Sequence, residues 1–160
     1  MTYTVLFLCT GNIGRSPLAA ALARHKMARA LGTEGPSLEE TGIFVLSAGT
    51  LAPEGMTASP RGVAVAAEHG VDLTGHVSTR LTISMAEAAD RIFCMDTAQV
   101  EYVRSLGAHS TAELLVPKGE DIPDPRGHDL EFYRRVRDQI EAALDERLPE
   151  ILAEARCVGS

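Results

Sequence analysis

The stretch VLFLCTGNIGRSPLAAAL, Val5 to Leu22, constrains this chain more than any other. An apolar run, Val5 to Leu8, ends at Cys9. A loop of mostly small residues follows (Thr10, Gly11, Asn12, Ile13, Gly14) and closes on Arg15, Ser16 and Pro17, ahead of an Ala/Leu-rich segment. The run reads as a buried parallel strand and the later segment as a helix. Ser16 is expected as its N-cap and Pro17 at its first helical position. A strand, a glycine-containing loop and a helix N-terminus make an anion site, because unpaired N–H groups and the helix dipole both face the loop. This loop holds a thiol at its mouth and a guanidinium at its close.

The remaining chain alternates strand and helix patterns. Strands are expected at Tyr3–Leu8, Ile43–Ser47, Arg91–Met95 and Ala112–Val116. Helices are expected from Pro17 to Leu31 and from Pro60 to His69. A short helix through Ala89 starts at Ser84, with Glu87 completing a capping box. Another, capped by Asp96 or Thr97, runs to Leu106, and a last amphipathic helix spans His128–Leu148, with the tail after Pro149 adding a turn or fraying. Thr33–Gly42 and the proline-rich Pro117–Gly127 read as loops. This order predicts one α/β domain over residues 1–160, with three layers: a four-stranded parallel twisted sheet with helices on both faces. Ligands in such folds bind beyond the carboxyl ends of the strands. Cys9, Ser47 and the Asp96 turn share that edge.

Composition narrows the partners. The net charge of −7 argues against nucleic acid or an acidic membrane surface. An anionic substrate must therefore be drawn in by a local positive field. Three widely spaced cysteines without a CxxC pair fit a reducing cytoplasm, and no apolar run approaches transmembrane length.

The C-x5-R spacing from Cys9 to Arg15 suits a tetrahedral anion. Loop N–H groups converge on three phosphate oxygens while Arg15 adds a bidentate clamp. Gly11 and Gly14 are expected to supply positive φ and close approach. The same field favours the thiolate of Cys9, set for in-line attack and a phosphocysteine intermediate, with Ser16 donating to the sulfur as it leaves. A structural cysteine beside a capping serine is the plain alternative, but it leaves Arg15 and the glycines without a role. A general acid is also needed. Asp124, on the stiff DIPDPRG loop, is the candidate, with Asp121 as neighbour and ordinary Asp-Pro turn chemistry as the competing reading. Asp121, Asp124, His128 and Asp129 show no recognised metal-ligand spacing, so neither metal nor cofactor is expected.

CTGNIGRSP, SAGT (Ser47–Thr50), HVSTRLT (His76–Thr82) and DIPDP (Asp121–Pro125) occur in an order that resembles the low-molecular-weight protein tyrosine phosphatase family. The resemblance covers nearly the whole chain. It implies Cys9 as nucleophile, Arg15 as phosphate clamp and Asp124 as general acid. Asn12, Ser16, Ser47 and His76 would be the polar network that holds the loop. The implied reaction is hydrolysis of a phosphorylated protein or peptide, with phosphotyrosine the leading substrate, inorganic phosphate the product and a tyrosine kinase the cognate enzyme.

Three positions depart from the family pattern. Gly14 stands where the family usually has a second cysteine able to protect the nucleophile as a disulfide. Arg126 follows the Asp-Pro pair, where an aromatic residue usually walls the cleft, which points towards a more acidic or non-aromatic substrate; Leu51 aligns with the opposite wall. Ile13 stands where related phosphoarginine phosphatases carry Thr, and being inside the loop it weighs towards phosphotyrosine. The other readings are a phosphoarginine phosphatase, an arsenate reductase-like enzyme, which would need relay cysteines, and an inactive phosphate-binding module.

Overall fold

In a computed structural model, which describes residues 1–33, 35–107 and 112–159, the Val5–Leu8 run lies within the central strand of a parallel sheet. That strand, β1 (Tyr3–Cys9), is flanked by β2 (Ile43–Gly49) and β3 (Arg91–Cys94), with β4 (Ala112–Leu114) on the far edge of β3. Register places Cys9 beside Gly49 and Leu8 beside Cys94. Because side chains alternate across a strand, β1 feeds two cores. Val5, Phe7 and Cys9 pack with α1 (Arg15–Ala30), α2 (Pro60–Glu68) and α5 (Leu130–Gly159). Leu6 and Leu8 pack with α3 (Ile83–Ala88) and α4 (Thr97–Ser105). The expected three-layer sheet with helices on both faces is therefore present. Among the described residues no helix is long and apolar enough to cross a membrane.

Four local expectations need correction. The first helix starts at Arg15, so Gly14 is its N-cap and no side chain caps it; Ser16 is already helical and spends its hydroxyl on the site below. Thr82, not Ser84, caps α3, its Oγ1 accepting from the Met85 amide at 3.1 Å. Burial of Leu81 and Ala86 fixes which residue reaches that position. Part of the Thr33–Gly42 loop forms a 3₁₀ helix, Gly35–Thr41, which buries Leu38; Glu34 lies outside the described residues.

The last helix does not stop at Leu148 but runs through Pro149 to Gly159. A proline inside a helix costs about 3 kcal/mol through a lost hydrogen bond and a ring clash. Here Asp145, whose carbonyl loses its partner, is exposed, which leaves that carbonyl open to solvent and lowers the cost. Beyond the proline, Ile151 and Ala155 are buried, and Glu154 accepts from the Tyr3 hydroxyl at 2.5 Å and the Arg91 guanidinium at 2.7 Å. Tertiary burial outweighs the local signal. Ile151→Ala is accordingly expected to cost about 2–4 kcal/mol in urea denaturation. A change near zero would mean that the segment after Pro149 does not contribute to the core.

Candidate active site

The loop between β1 and α1 is shaped by what takes its carbonyls. The Thr10 carbonyl accepts from the Leu51 amide at 3.0 Å, the Ile13 carbonyl from the Ser59 amide at 3.0 Å, and the Asn12 carbonyl from His76 Nε2 at 2.7 Å. A trans peptide points its N–H opposite to its C=O. The amides of Gly11, Ile13 and Gly14 are thus turned to the inside of the loop, and among the described residues none has a protein acceptor. The Asn12 amide points inward as well and donates to Cys9 Sγ at 3.2 Å. These donors form a cradle for an anion, with the sulfur at its base.

Asn12 makes that curl possible. It is fully buried and, among the described residues, is the one non-glycine with positive φ, 54°. Gly11 and Gly14 are not in that region, which corrects the expectation that they supply it. Asn tolerates the left-handed conformation better than most residues, and its side chain is bonded at every polar atom. Nδ2 donates to Ser16 Oγ at 2.8 Å and Ser47 Oγ at 3.0 Å, and Oδ1 accepts from the Thr79 amide at 2.8 Å. The glycine that close approach does require is Gly49. A Cβ there would stand 2.5 Å from the Thr10 carbonyl oxygen and 2.9 Å from the Asn12 nitrogen.

Ser16 Oγ lies 2.9 Å from Cys9 Sγ and 3.3 Å from the Ala48 carbonyl. With Asn12 Nδ2 donating to its oxygen, the Ser16 hydroxyl hydrogen is left for the sulfur or that carbonyl. Arg15, 4% exposed, donates through Nη1 to Asp96 Oδ2 at 2.8 Å and to the Ile122 carbonyl at 2.9 Å. That fixes the fork and leaves its Nη2 edge for a ligand. Burial raises the Asp96 carboxyl, but the Arg15 guanidinium outweighs it and holds the group below its ordinary range. Asp96 also caps α4 in a capping box with Gln99, and Gln99 Nε2 donates to Thr10 Oγ1 at 3.0 Å. Sequence reasoning placed Asp96 at this edge as a cap but missed its hold on Arg15, and missed Gln99. The D-x-x-Q spacing after a strand was the available signal.

The two acidic candidates separate. Asp124 Oδ2 lies 4.0 Å from Arg15 Nη2, while its Oδ1 accepts from the Arg126 amide at 3.0 Å. Asp121 Oδ1 instead receives the amide and hydroxyl of Thr97 at the start of α4. A Cβ on Gly14 would stand 3.9 Å from Pro125 Cγ, so the Asp124–Pro125 turn overlies the anion loop. Leu51, 65% exposed, is tied by its amide to one side of the loop, and Arg126 is exposed beside Asp124 on the other. The four residues weighed as a metal cluster are dispersed: His128 stacks on Phe132, and Asp129 caps the Phe132 amide.

The other thiols stand apart. Cys94 projects to the opposite face of the sheet from Cys9, and burial pushes it up to about 12, so it stays protonated. Cys157 is exposed near the end of α5. Neither is placed to relay a disulfide to Cys9.

Residues 4–156 match the family described as Low molecular weight phosphotyrosine protein phosphatase. A probable low molecular weight protein-tyrosine-phosphatase, EpsP of Ralstonia nicotianae, is 34% identical over 157 residues, covering 96% of this chain and 99% of that protein. The protein-arginine-phosphatase of Geobacillus stearothermophilus is 32% identical over 158 residues, covering 95% and 97%. Among solved structures, the low molecular weight protein tyrosine phosphatase of T. tengcongensis superposes with a TM-score of 0.81 at 28% identity, covering 93% of this chain and 99% of that one. A cysteine-to-serine mutant of the YwlE arginine phosphatase, with a phosphorylated active-site serine, gives a TM-score of 0.83 at 28% identity, covering 96% and 98%.

One consequence of the geometry is a pH dependence. Burial pushes His76 below its ordinary value of 6.5, helped by the nearby Arg24 charge and opposed by the bond to the Asn12 carbonyl. The folded protein then binds fewer protons there than the unfolded chain does, so stability falls as the pH drops through about 6.5. Denaturation midpoints measured from about pH 8 to about pH 5 are expected to fall. His76→Gln, which cannot titrate, is expected to flatten that slope. An unchanged slope in the variant would remove His76 as its cause.

Proposed function

We propose that this chain, which belongs to the low molecular weight phosphotyrosine protein phosphatase family, hydrolyses its substrate through a phosphocysteine on Cys9. The protein is a phosphatase, a hydrolase of phosphoric monoesters. The observation that supports Cys9 as nucleophile is its sulfur, held by the Asn12 amide at 3.2 Å and beside Ser16 Oγ at 2.9 Å, at the base of an inward-facing ring of amides. Those donors hold the sulfur directed at whatever the cradle binds.

In the first step the Cys9 thiolate attacks phosphorus in line. The S–P bond forms, the P–O bond to the leaving group breaks, and Asp124 as a carboxylic acid protonates the departing oxygen. The loop amides and the free edge of Arg15 take the charge on the three remaining oxygens. In the second step Asp124, now a carboxylate, removes a proton from water as it attacks. The S–P bond breaks, inorganic phosphate is released, and the Ser16 hydroxyl stabilises the sulfur as it regains its charge. The phosphorylated active-site serine of the arginine phosphatase mutant supports a covalent phosphoenzyme by analogy.

The substrate we assign is a phosphotyrosine protein or peptide, encountered in the cytoplasm opposite a tyrosine kinase. Ile13 in the loop and the tyrosine phosphatase relatives support it. The arginine phosphatase relatives favour a second reading, phosphoarginine. Exposed Arg126 disfavours that reading, because it sets a cation beside the incoming guanidinium.

Turnover of an aryl phosphate tests the roles. Cys9→Ser is expected to lose on the order of 10⁴-fold or more. Asp124→Ala is expected to lose on the order of 10²–10⁴-fold, most for poor leaving groups. Full activity in either variant would overturn the corresponding assignment. Between phosphotyrosine and phosphoarginine peptides, kcat/KM is expected to favour phosphotyrosine by at least about tenfold. The reverse preference would transfer the chain to the second reading.

A further inference from the structure

Arg24 is a half-buried cation that the reaction above does not use. It sits on α1, and its Nη2 donates to the Val45 carbonyl at 2.7 Å. Among the described residues no carboxylate comes within 4.0 Å of its guanidinium. A partly desolvated arginine with no carboxylate in ion-pair contact is costly, the exposed Glu39 acting on it only from a distance, and its remaining N–H groups are donors seeking an acceptor. They face a choice between water and a ligand.

The surroundings favour a ligand. A cavity of about 420 Å³ lies between α1, the end of β2 and the segment 72–77, behind the anion loop. Arg24, Ser47, Asp72 and His76 supply its polar lining, while Ala20 and Leu73 supply apolar surface. Asp72 opposes an anion, but it is exposed, where solvent and salt screen it, and its Oδ1 is taken by the amide and hydroxyl of Thr74 at 2.9 and 2.6 Å. Two of the lining residues also hold Asn12: His76 through the Asn12 carbonyl and Ser47 through the Asn12 side chain. The cavity wall and the support of the active-site loop are thus the same residues.

We propose that this chamber is a second anion site, in which the Arg24 guanidinium binds the oxyanion head of a phosphate or small organic phosphate, and that its occupancy is transmitted through His76 and Ser47 to the anion loop. The apolar side of the cavity has room for the organic body. The transmission is direct, because any shift of either residue must move Asn12 or leave one of its buried bonds unmade. The binding site rests on this geometry alone; only its regulatory consequence rests on the reading of Cys9 given above.

Backbone NMR of the full chain separates the two sites. Inorganic phosphate, and in a second arm methylphosphonate, is titrated with and without one equivalent of orthovanadate, which occupies the catalytic loop. Amide shifts of Gly75, His76 and Val77 are expected to saturate with their own midpoint and to persist beside vanadate, while the direct phosphate response of Ile13 and Gly14 is blocked and only a smaller shift that follows the rear midpoint remains there. Absence of that residual shift would overturn the transmission. Arg24→Met is expected to lose the Gly75–Val77 response and to keep both the loop response and aryl phosphate turnover. Arg24→Lys, which keeps the charge without the fork, guards against a folding artefact and is expected to weaken the rear midpoint at least about tenfold. A stronger response to methylphosphonate than to phosphate identifies an organic phosphate as the occupant; the opposite order identifies the free ion. Silent rear amides, a midpoint shared with the loop and abolished by vanadate, or an unchanged response in both variants would overturn the site. Failure of Cys9→Ser to lose turnover would leave this result intact, so the two readings fail separately.

Discussion

The site depends on one strained residue. Asn12 is held at φ 54° in the interior, a conformation that costs a non-glycine residue on the order of 1–3 kcal/mol. Five hydrogen bonds offset that cost. Its amide donates to Cys9 Sγ, its side-chain amide to Ser16 and Ser47, while its side-chain oxygen accepts from Thr79 and its carbonyl from His76. Together these bonds reach four parts of the chain: the Cys9 end of β1, the start of α1, the end of β2 and, through both His76 and Thr79, the segment after α2. Loop shape is therefore set by the tertiary fold rather than by the loop residues alone. An asparagine suits this position because it combines tolerance of the left-handed region with both a donor and an acceptor.

The second anchor comes from the other side of the sheet. The β3–α4 turn holds Arg15 through Asp96 and Thr10 through Gln99, and the Ile122 carbonyl completes the hold on the guanidinium. Three consecutive strand ends thus converge on one loop, as expected where a parallel sheet presents its carboxyl ends to a ligand. In the proposed mechanism this cation is fixed before substrate arrives, so little reorganisation would be left for the transition state. The acidic overall charge is compatible with an anionic substrate because the positive field is local and directed by backbone amides.

Much of this was legible in the sequence because it rests on short-range pattern. The four strands, their parallel direction and the convergence of Cys9, Ser47 and Asp96 follow from apolar runs alternating with helical segments. What escaped was decided by distant contacts. Gly11 and Gly14 looked like the residues of special conformation, yet Asn12 takes it, because only Asn12 has partners for a side chain there. Ser16 read as a helix cap, but its hydroxyl is drawn to Cys9 and the helix begins at Arg15. Pro149 read as a stop, but the burial of Ile151 and the bonds of Glu154 carry the helix past it. Gly49 stood in the SAGT motif with no stated reason, and the 2.5 Å approach of the Thr10 carbonyl from the anion loop supplies it.

The central claim, that the cradle presents Cys9 to the phosphorus, is tested most directly by trapping the covalent species. Rapid quench of an isotopically labelled aryl phosphate with Asp124→Ala, followed by peptide mapping, is expected to find one phosphoryl group on the peptide containing Cys9, formed in a burst before steady turnover. Cys9→Ser is expected to form no thiophosphoryl label and to show no such burst. Label on another residue, or steady turnover by the wild type with no phosphoenzyme at any quench time, would contradict the account.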